Sequence, residues 1–172
     1  MVALRLERGS FLDLPDGVVH LWFAFPDEWE DPALMGSARH LLGEEEMNRM
    51  EKFHFPEHRH SYLVSHLLLR TTLSRYSELL PKSLRFIQNG HGKPRLDPGL
   101  GATPLCFSLS HTKGISVVGV TRGREIGVDV EQAGRPVRAV ELSRRFSPRR
   151  RTPRWKNCRP AFCRSNFPFT GH

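Results

Sequence analysis

The rhythm of apolar and polar positions changes twice along the chain. The run Gly17-Val-Val-His-Leu-Trp-Phe-Ala-Phe25 is rich in β-branched and aromatic residues and is bounded by Asp16-Gly17 and Pro26-Asp27, which predicts a strand. Over residues 37–53, Leu41, Leu42, Met47 and Met50 fall among Glu and Arg, and this predicts an amphipathic helix. Pro56-Glu57 opens a stronger helix, whose Leu63, Leu67, Leu73, Tyr76 and Leu80 keep helical spacing until Pro81 ends it. Arg70 and Arg75 are expected to escape its buried stripe. Short strands follow. Residues 84–88 lead into the turn Asn89-Gly90, and over 104–110 Leu105, Phe107 and Leu109 alternate with Cys106, Ser108 and Ser110. Residues 115–120 are apolar, 121–124 form a turn, and 125–131 make a further strand, so that the last two strands are expected to pair as an antiparallel hairpin around Gly123. Helices and strands are mixed without regular alternation, which favours the α+β class.

Near Ser147 the periodicity stops. The remaining residues carry Pro148, Pro153, Pro160 and Pro168, and no acid. Such a segment buries too little apolar surface to offset its ordering entropy, and a disordered tail is expected over 147–172. Charge changes the picture further. The chain of 172 residues has a net charge of +8, but residues 1–143 hold 17 Lys and Arg against all 18 acids, and residues 144–172 hold the other 9 basic residues. The basic excess therefore describes a tail and not a nucleic-acid-binding domain. No run of eighteen apolar residues suggests a membrane span, the N-terminus lacks a secretory pattern, and three scattered cysteines make no disulfide framework. A cytoplasmic protein without membrane association is expected.

Three segments carry candidate chemistry. In His91-Gly-Lys-Pro-Arg95, Gly92 and Lys93 would let backbone and a point charge approach a phosphate, although an isolated motif of this kind more often describes a surface turn with a solvated lysine. In Phe107-Ser-Leu-Ser-His-Thr112, Phe107 and Leu109 face one side and Ser108 and Ser110 the other, so that Ser110 and His111 place polar donors at the strand end. They suit a phosphate or a carbonyl, and equally an ordinary strand terminus. In Ile126-Gly-Val-Asp-Val-Glu131, a strand would put Asp129 and Glu131 on one face, about 7 Å apart at the backbone, above Val128 and Val130. Two such acids half-enclose a hard cation such as Mg²⁺, which completes its octahedron with waters and phosphate oxygens. The competing reading is a polar strand face, whose repulsion Arg122 and Arg124 would have to offset.

In order, these segments resemble the 4′-phosphopantetheinyl transferase superfamily, and within it the larger, pseudo-dimeric type that modifies synthase carrier proteins. The resemblance extends over Phe53-His-Phe-Pro-Glu-His-Arg-His-Ser-Tyr62, Leu69-Arg70 and Ser74-Arg75-Tyr76, from about residue 40 to Phe146. It implies a first pseudo-repeat over 1–120, the start of a second over 121–146, and transfer of phosphopantetheine from coenzyme A to a serine of an acyl or peptidyl carrier protein. It further implies that Asp129 and Glu131 hold Mg²⁺ and serve catalysis, that Gly92 and Lys93 contact phosphate, and that Ser110 and His111 hold coenzyme A. Arg59 and His60, at the start of the long helix, are looser candidates for the 3′-phosphate and equally a solvated helix start. His54, His58, His60 and His66 match no closed zinc spacing.

The family continues with a helix ending in W-x-x-K-E, which supplies a further acid and a lysine. Here Trp155-Lys156-Asn157 does not match, and no acid follows Glu141. Most of the second pseudo-repeat is absent from the sequence, so transferase activity is expected to be impaired; the alternative is a catalytically inactive protein that binds coenzyme A or a carrier protein. Nucleic-acid binding through the tail, where Arg alternates with Trp155, Phe162, Phe167 and Phe169, is treated as an accident of composition. The simultaneous loss of acids, periodicity and family pattern suggests a shifted reading frame near Phe146. Translation of the gene in the other two frames should then reveal an acidic helix and W-x-x-K-E; continued patternless sequence in both would contradict the shift.

Overall fold

The computed structural model describes residues 12–90, 92–101 and 104–132. All of them fall in one of the two units into which the chain divides, the one that ends at Ala133. The element order is β1 (Val19–Ala24), α1 (Pro32–Ala38), α2 (Glu44–Glu51), α3 (Pro56–Ser74), β2 (Phe86–Gln88), β3 (Pro94–Leu96), β4 (Leu105–Thr112) and β5 (Ile115–Arg122). The fold is α+β. A three-stranded antiparallel sheet, in the order β1-β5-β4, carries α3 on one face, and β2 and β3 form a separate hairpin.

Strand alternation divides the sheet into two faces of different character. On the helix side, Val118 and Val120 of β5 and Phe107 of β4 are buried with Leu69 and Leu73 of α3, Leu14, Leu84 and Leu105. The Oγ atoms of Ser65 on α3 and Ser116 on β5 lie 2.7 Å apart and tie helix to sheet at one end. At the other end, Trp22 Nε1 of β1 donates to the Tyr76 hydroxyl at 2.9 Å, and His20 Nδ1 lies 2.7 Å from the same oxygen. The opposite face bears Val19, Leu21 and Phe23 of β1, which are 47%, 51% and 40% exposed.

Several expectations are corrected. The helix over 37–53 is broken: α1 ends at Ala38, a short 3-10 turn follows, and α2 starts only after Gly43. Gly43 N donates to Glu46 Oε2 at 2.8 Å, and an added Cβ at Gly43 would lie 2.8 Å from Arg70 Nη2, so the break makes room for a buried guanidinium. Arg70 does not escape the stripe: it is 2% exposed. Its Nε donates to Glu46 Oε2 at 2.6 Å, and its Nη1 donates to the carbonyls of Pro81 and Leu84 at 2.6 and 3.1 Å. Exposed Arg75 does leave the stripe, with its guanidinium 4.9 Å from the Trp22 ring centre. The long helix stops at Ser74 rather than at Pro81, because the Ser77 hydroxyl takes the Leu73 carbonyl at 3.0 Å and Ser74 Oγ reaches Leu79 O at 2.7 Å. Leu80 consequently lies outside the helix and 61% exposed. The hairpin turn of the sheet is at Lys113-Gly114, where Gly114 takes φ +82°, and not around Gly123, because β5 pairs back along β4 and onward with β1. The expected disordered tail and the departure at Phe146 lie outside the described residues.

Glu46 anchors the helical layer. Burial by itself would raise its pKa, but hydrogen bonds from His66 and the Gly43 amide, with the charges of His66 and Arg70, hold the carboxyl below its ordinary 4.5. A carboxylate depressed in the folded state contributes stability above its unfolded value and loses it as pH falls through the depressed one. Glu46→Ala leaves the Arg70 charge buried and unpaired and should cost about 3–5 kcal/mol in urea unfolding at neutral pH. The gap to wild type should narrow below pH 4.5; a gap independent of pH would contradict this role.

Candidate functional site

The acid-bearing segment 125–131 is not the regular strand that its alternation predicts. Exposed Glu125, Gly127, Asp129 and Glu131 do alternate with half-buried Ile126, Val128 and Val130, but no strand ladder forms. The segment lies on the outer face of the sheet alongside β4, and serine side chains of that strand reach its amides. Val128 N donates to Ser108 Oγ at 3.1 Å and Val130 N donates to Ser110 Oγ at 3.1 Å. The Ser110 hydroxyl in turn donates to Asp129 Oδ1 at 3.1 Å.

Gly119, opposite Ser108 on β5, makes this arrangement possible. A Cβ at Gly119 would lie 2.6 Å from Val128 Cγ1, 3.1 Å from Ile126 Cδ1 and 3.4 Å from Leu21 Cδ2. The missing side chain is the seat for the segment. A glycine inside an otherwise β-branched strand is a sequence signal of close approach, and it is the signal that could have exposed this packing.

Lys93 closes the other end of the segment. Its Nζ donates to Glu125 Oε2 at 2.8 Å and to Ile126 O at 2.5 Å. Its backbone is fixed by Asn89, whose Oδ1 accepts from Lys93 N at 2.9 Å, while Gly92, at φ +76°, completes the β2–β3 turn. The hydrogen bond and charge of Lys93 push the Glu125 carboxyl below its ordinary pKa. Arg122 is not a counter-charge for the acids, since its Nε donates to Leu14 O at 3.2 Å.

The structure thus brings Ser110 against Asp129 and Lys93 against the leading end of the same segment at Glu125 and Ile126, with Glu131 two residues beyond Asp129 on the same exposed alternation. Next to Ser110 on β4, His111 alternates toward the α3 side. Though the residue as a whole is exposed, desolvation of its imidazole lowers the pKa below 6.5, and the charge of His66 adds to this. His66 itself stacks on Tyr62, with ring centres 4.0 Å apart, and its Nδ1 lies 2.7 Å from Glu46 Oε1. Burial, reinforced by Glu46, pushes the Tyr62 hydroxyl up to about 12. Arg59 and His60 are placed elsewhere: Arg59 Nε donates to Phe53 O at 2.7 Å, and His60 Nε2 donates to Pro26 O at 2.8 Å. Both serve the entrance of α3, and no contact among the described residues joins them to the acids. Ser108, Gly119 and Glu125 are the members of the arrangement that the motifs alone did not single out.

Comparison with known proteins places the chain. The sequence model of the family described as "4′-phosphopantetheinyl transferase, N-terminal" matches residues 22–123. The chain belongs to the 4′-phosphopantetheinyl transferase family. It is 33% identical over 142 residues to 4′-phosphopantetheinyl transferase HetI of Nostoc sp., covering 82% of this chain and 59% of that one. It is 29% identical over 106 residues to 4′-phosphopantetheinyl transferase Sfp of Bacillus subtilis, covering 62% and 45%. The chain thus spans from under half to about three fifths of the length of these two relatives. A three-dimensional likeness with TM-score 0.45 and 16% identity is found with a holo-(acyl-carrier-protein) synthase from Bacillus anthracis in complex with CoA (3′,5′-ADP), covering 59% of this chain and 91% of that one.

The environment of His111 yields a direct check. In an NMR titration its midpoint should fall below 6.5, and His66→Gln should move it upward without restoring it fully, because desolvation remains. A midpoint unmoved by His66→Gln would remove His66 as a cause.

Proposed function

We propose that this chain carries part of an enzyme that moves 4′-phosphopantetheine from coenzyme A to a serine hydroxyl of an acyl or peptidyl carrier protein. The observation that carries the reading is the pair Asp129 and Glu131, exposed at alternate positions of a segment that continues directly from the matched family region. In the reaction the serine oxygen forms a bond to the phosphorus that bears pantetheine, and the bond from that phosphorus to adenosine 3′,5′-bisphosphate breaks. The need is for charge neutralisation and alignment more than for covalent help.

The donor set fits Mg²⁺. Asp129 and Glu131 offer hard carboxylate oxygens open to solvent, and Ser110 orients Asp129 by binding only one of its two oxygens, which leaves the other available. Among the described residues no group of three or more metal-ligating side chains occurs, so these two acids would need water and substrate phosphate oxygens to complete the shell. A magnesium ion held there would withdraw charge from the pyrophosphate and stabilise the leaving phosphate. Lys93 would contribute a cation at the edge of the same segment, once a phosphate competes with Glu125 for its ammonium. Ser110 and His111 would hold coenzyme A at the end of β4.

Residues 147–172 contain no acid and therefore supply no counterpart of the W-x-x-K-E pair. Binding of coenzyme A without normal turnover is the second reading, and the retained Lys93, Ser110, His111 and Asp129 favour it. A cytoplasmic site of action accords with either reading, and no helix among the described residues is long and apolar enough to cross a membrane.

Calorimetry with coenzyme A, with and without Mg²⁺, tests the proposal. Mg²⁺ should tighten binding, and Asp129→Asn combined with Glu131→Gln should abolish that gain, about tenfold or more in affinity. An undiminished magnesium effect in the double variant would overturn the assignment. A carrier-protein modification assay on the same samples separates turnover from binding alone.

A further inference from the structure

We propose that Ser108 is a positioning residue for the acid pair, holding Val128 in the seat over Gly119 so that Asp129 and Glu131 are presented together. The inference rests on the reading of those acids as the ion-binding pair. Its ground is the way the segment is held. A strand in a sheet is fixed by a carbonyl at every second residue, whereas this one is fixed across a sheet face by two hydroxyls, Ser108 Oγ at Val128 N and Ser110 Oγ at Val130 N. Ser110 also contacts Asp129 directly, so its loss would confound orientation of the acid with anchoring of the backbone. Ser108 touches neither acid. Its hydroxyl acts on the backbone one residue before Asp129, and its strand partner is Gly119 itself. Side-chain hydroxyl and missing side chain are thus two halves of one device: one draws Val128 down, the other leaves it space, since a Cβ at Gly119 would stand 2.6 Å from Val128 Cγ1. Val128 is β-branched and stiff at χ1, so a Cβ at Gly119 lifts the segment rather than merely turning the side chain.

The test uses the full chain with coenzyme A and Mg²⁺ as probes, reading amide hydrogen exchange by NMR beside calorimetry. Ser108→Ala should speed exchange at the Val128 amide about tenfold, leave the Val118 amide inside β5 unchanged, and reduce the magnesium-dependent gain in coenzyme A affinity about fivefold or more. Ser108→Thr, which keeps the hydroxyl, should restore both. Gly119→Ala should reproduce the loss through the opposite half of the device, and Gly119→Ala with Val128→Ala should recover part of it by removing the clash. Unchanged exchange at Val128 in Ser108→Ala would overturn the proposal. So would a magnesium effect of wild-type size in that variant after exchange has risen. Absence of any magnesium effect in the wild-type chain is a different failure: it overturns the reading of the acids, and the positioning role falls with it.

Discussion

A missing side chain at the centre of the sheet governs the arrangement of the candidate site. Gly119 sits in the middle of the central strand, between Leu21 of β1 and Ser108 of β4. Because it has no Cβ, Ile126 and Val128 can descend onto the outer face. The segment that follows Gly123 therefore lies on the sheet face, along β4, instead of extending the sheet, and its acids are turned to solvent. Everything else at the site is a means of holding the segment there. Serine hydroxyls replace the absent carbonyls, and Lys93 clamps the leading end from the neighbouring hairpin.

The opposite face supplies rigidity. Val118 and Val120, on either side of Gly119, point into the core and pack with Leu69 and Leu73 of α3. Ser65 and Ser116 fix the register of helix against sheet. The buried pair of Glu46 and Arg70 locks α2 to α3, with Gly43 leaving the space that the guanidinium needs. His66 extends this network toward His111 at the end of β4, so that the charge state of a candidate ligand-binding imidazole is coupled to the helical layer. An isolated buried ion pair is a weak source of net stability, but breaking one half of it is costly. That asymmetry makes Glu46 a constraint on the fold rather than a mere addition to it.

Much of this was legible in the residues. The strand at Val19–Ala24, the onset of the long helix at Pro56 and the alternation of Phe107 and Leu109 with Ser108 and Ser110 follow from local pattern, and the structure has each of them. The conflicts arise where a tertiary partner overrides a local preference. Arg70 reads as a surface residue until Glu46, twenty-four positions away, is seen to meet it. Tyr76 and Leu80 continue a helical period that the hydroxyls of Ser74 and Ser77 interrupt. Residues 125–131 carry the period of a strand and keep it, yet the element they pack against is a sheet face and not a sheet edge, which no one-dimensional pattern distinguishes. Of the site, Lys93, Ser110 and Asp129 were evident as polar residues in ordered motifs. The contact of Ser110 with Asp129, the reach of Lys93 to Glu125 and Ile126, and the engagement of His60 with Pro26 instead of with the acids depend on distances between elements far apart in sequence.

Paramagnetic broadening offers the most direct view of the central claim, that two acids on one seated segment grip a divalent ion. Mn²⁺ substituted in small amounts for Mg²⁺ in the presence of coenzyme A should broaden the backbone NMR signals of Val128 to Glu131 and of Ser108 to Ser110 first, ahead of those of Tyr62 to Thr72 in α3 on the far face of the sheet. Signals lost first around Glu46 and His66, or around Asp27 and Glu30, with 128–131 left sharp, would place the ion elsewhere and contradict the account.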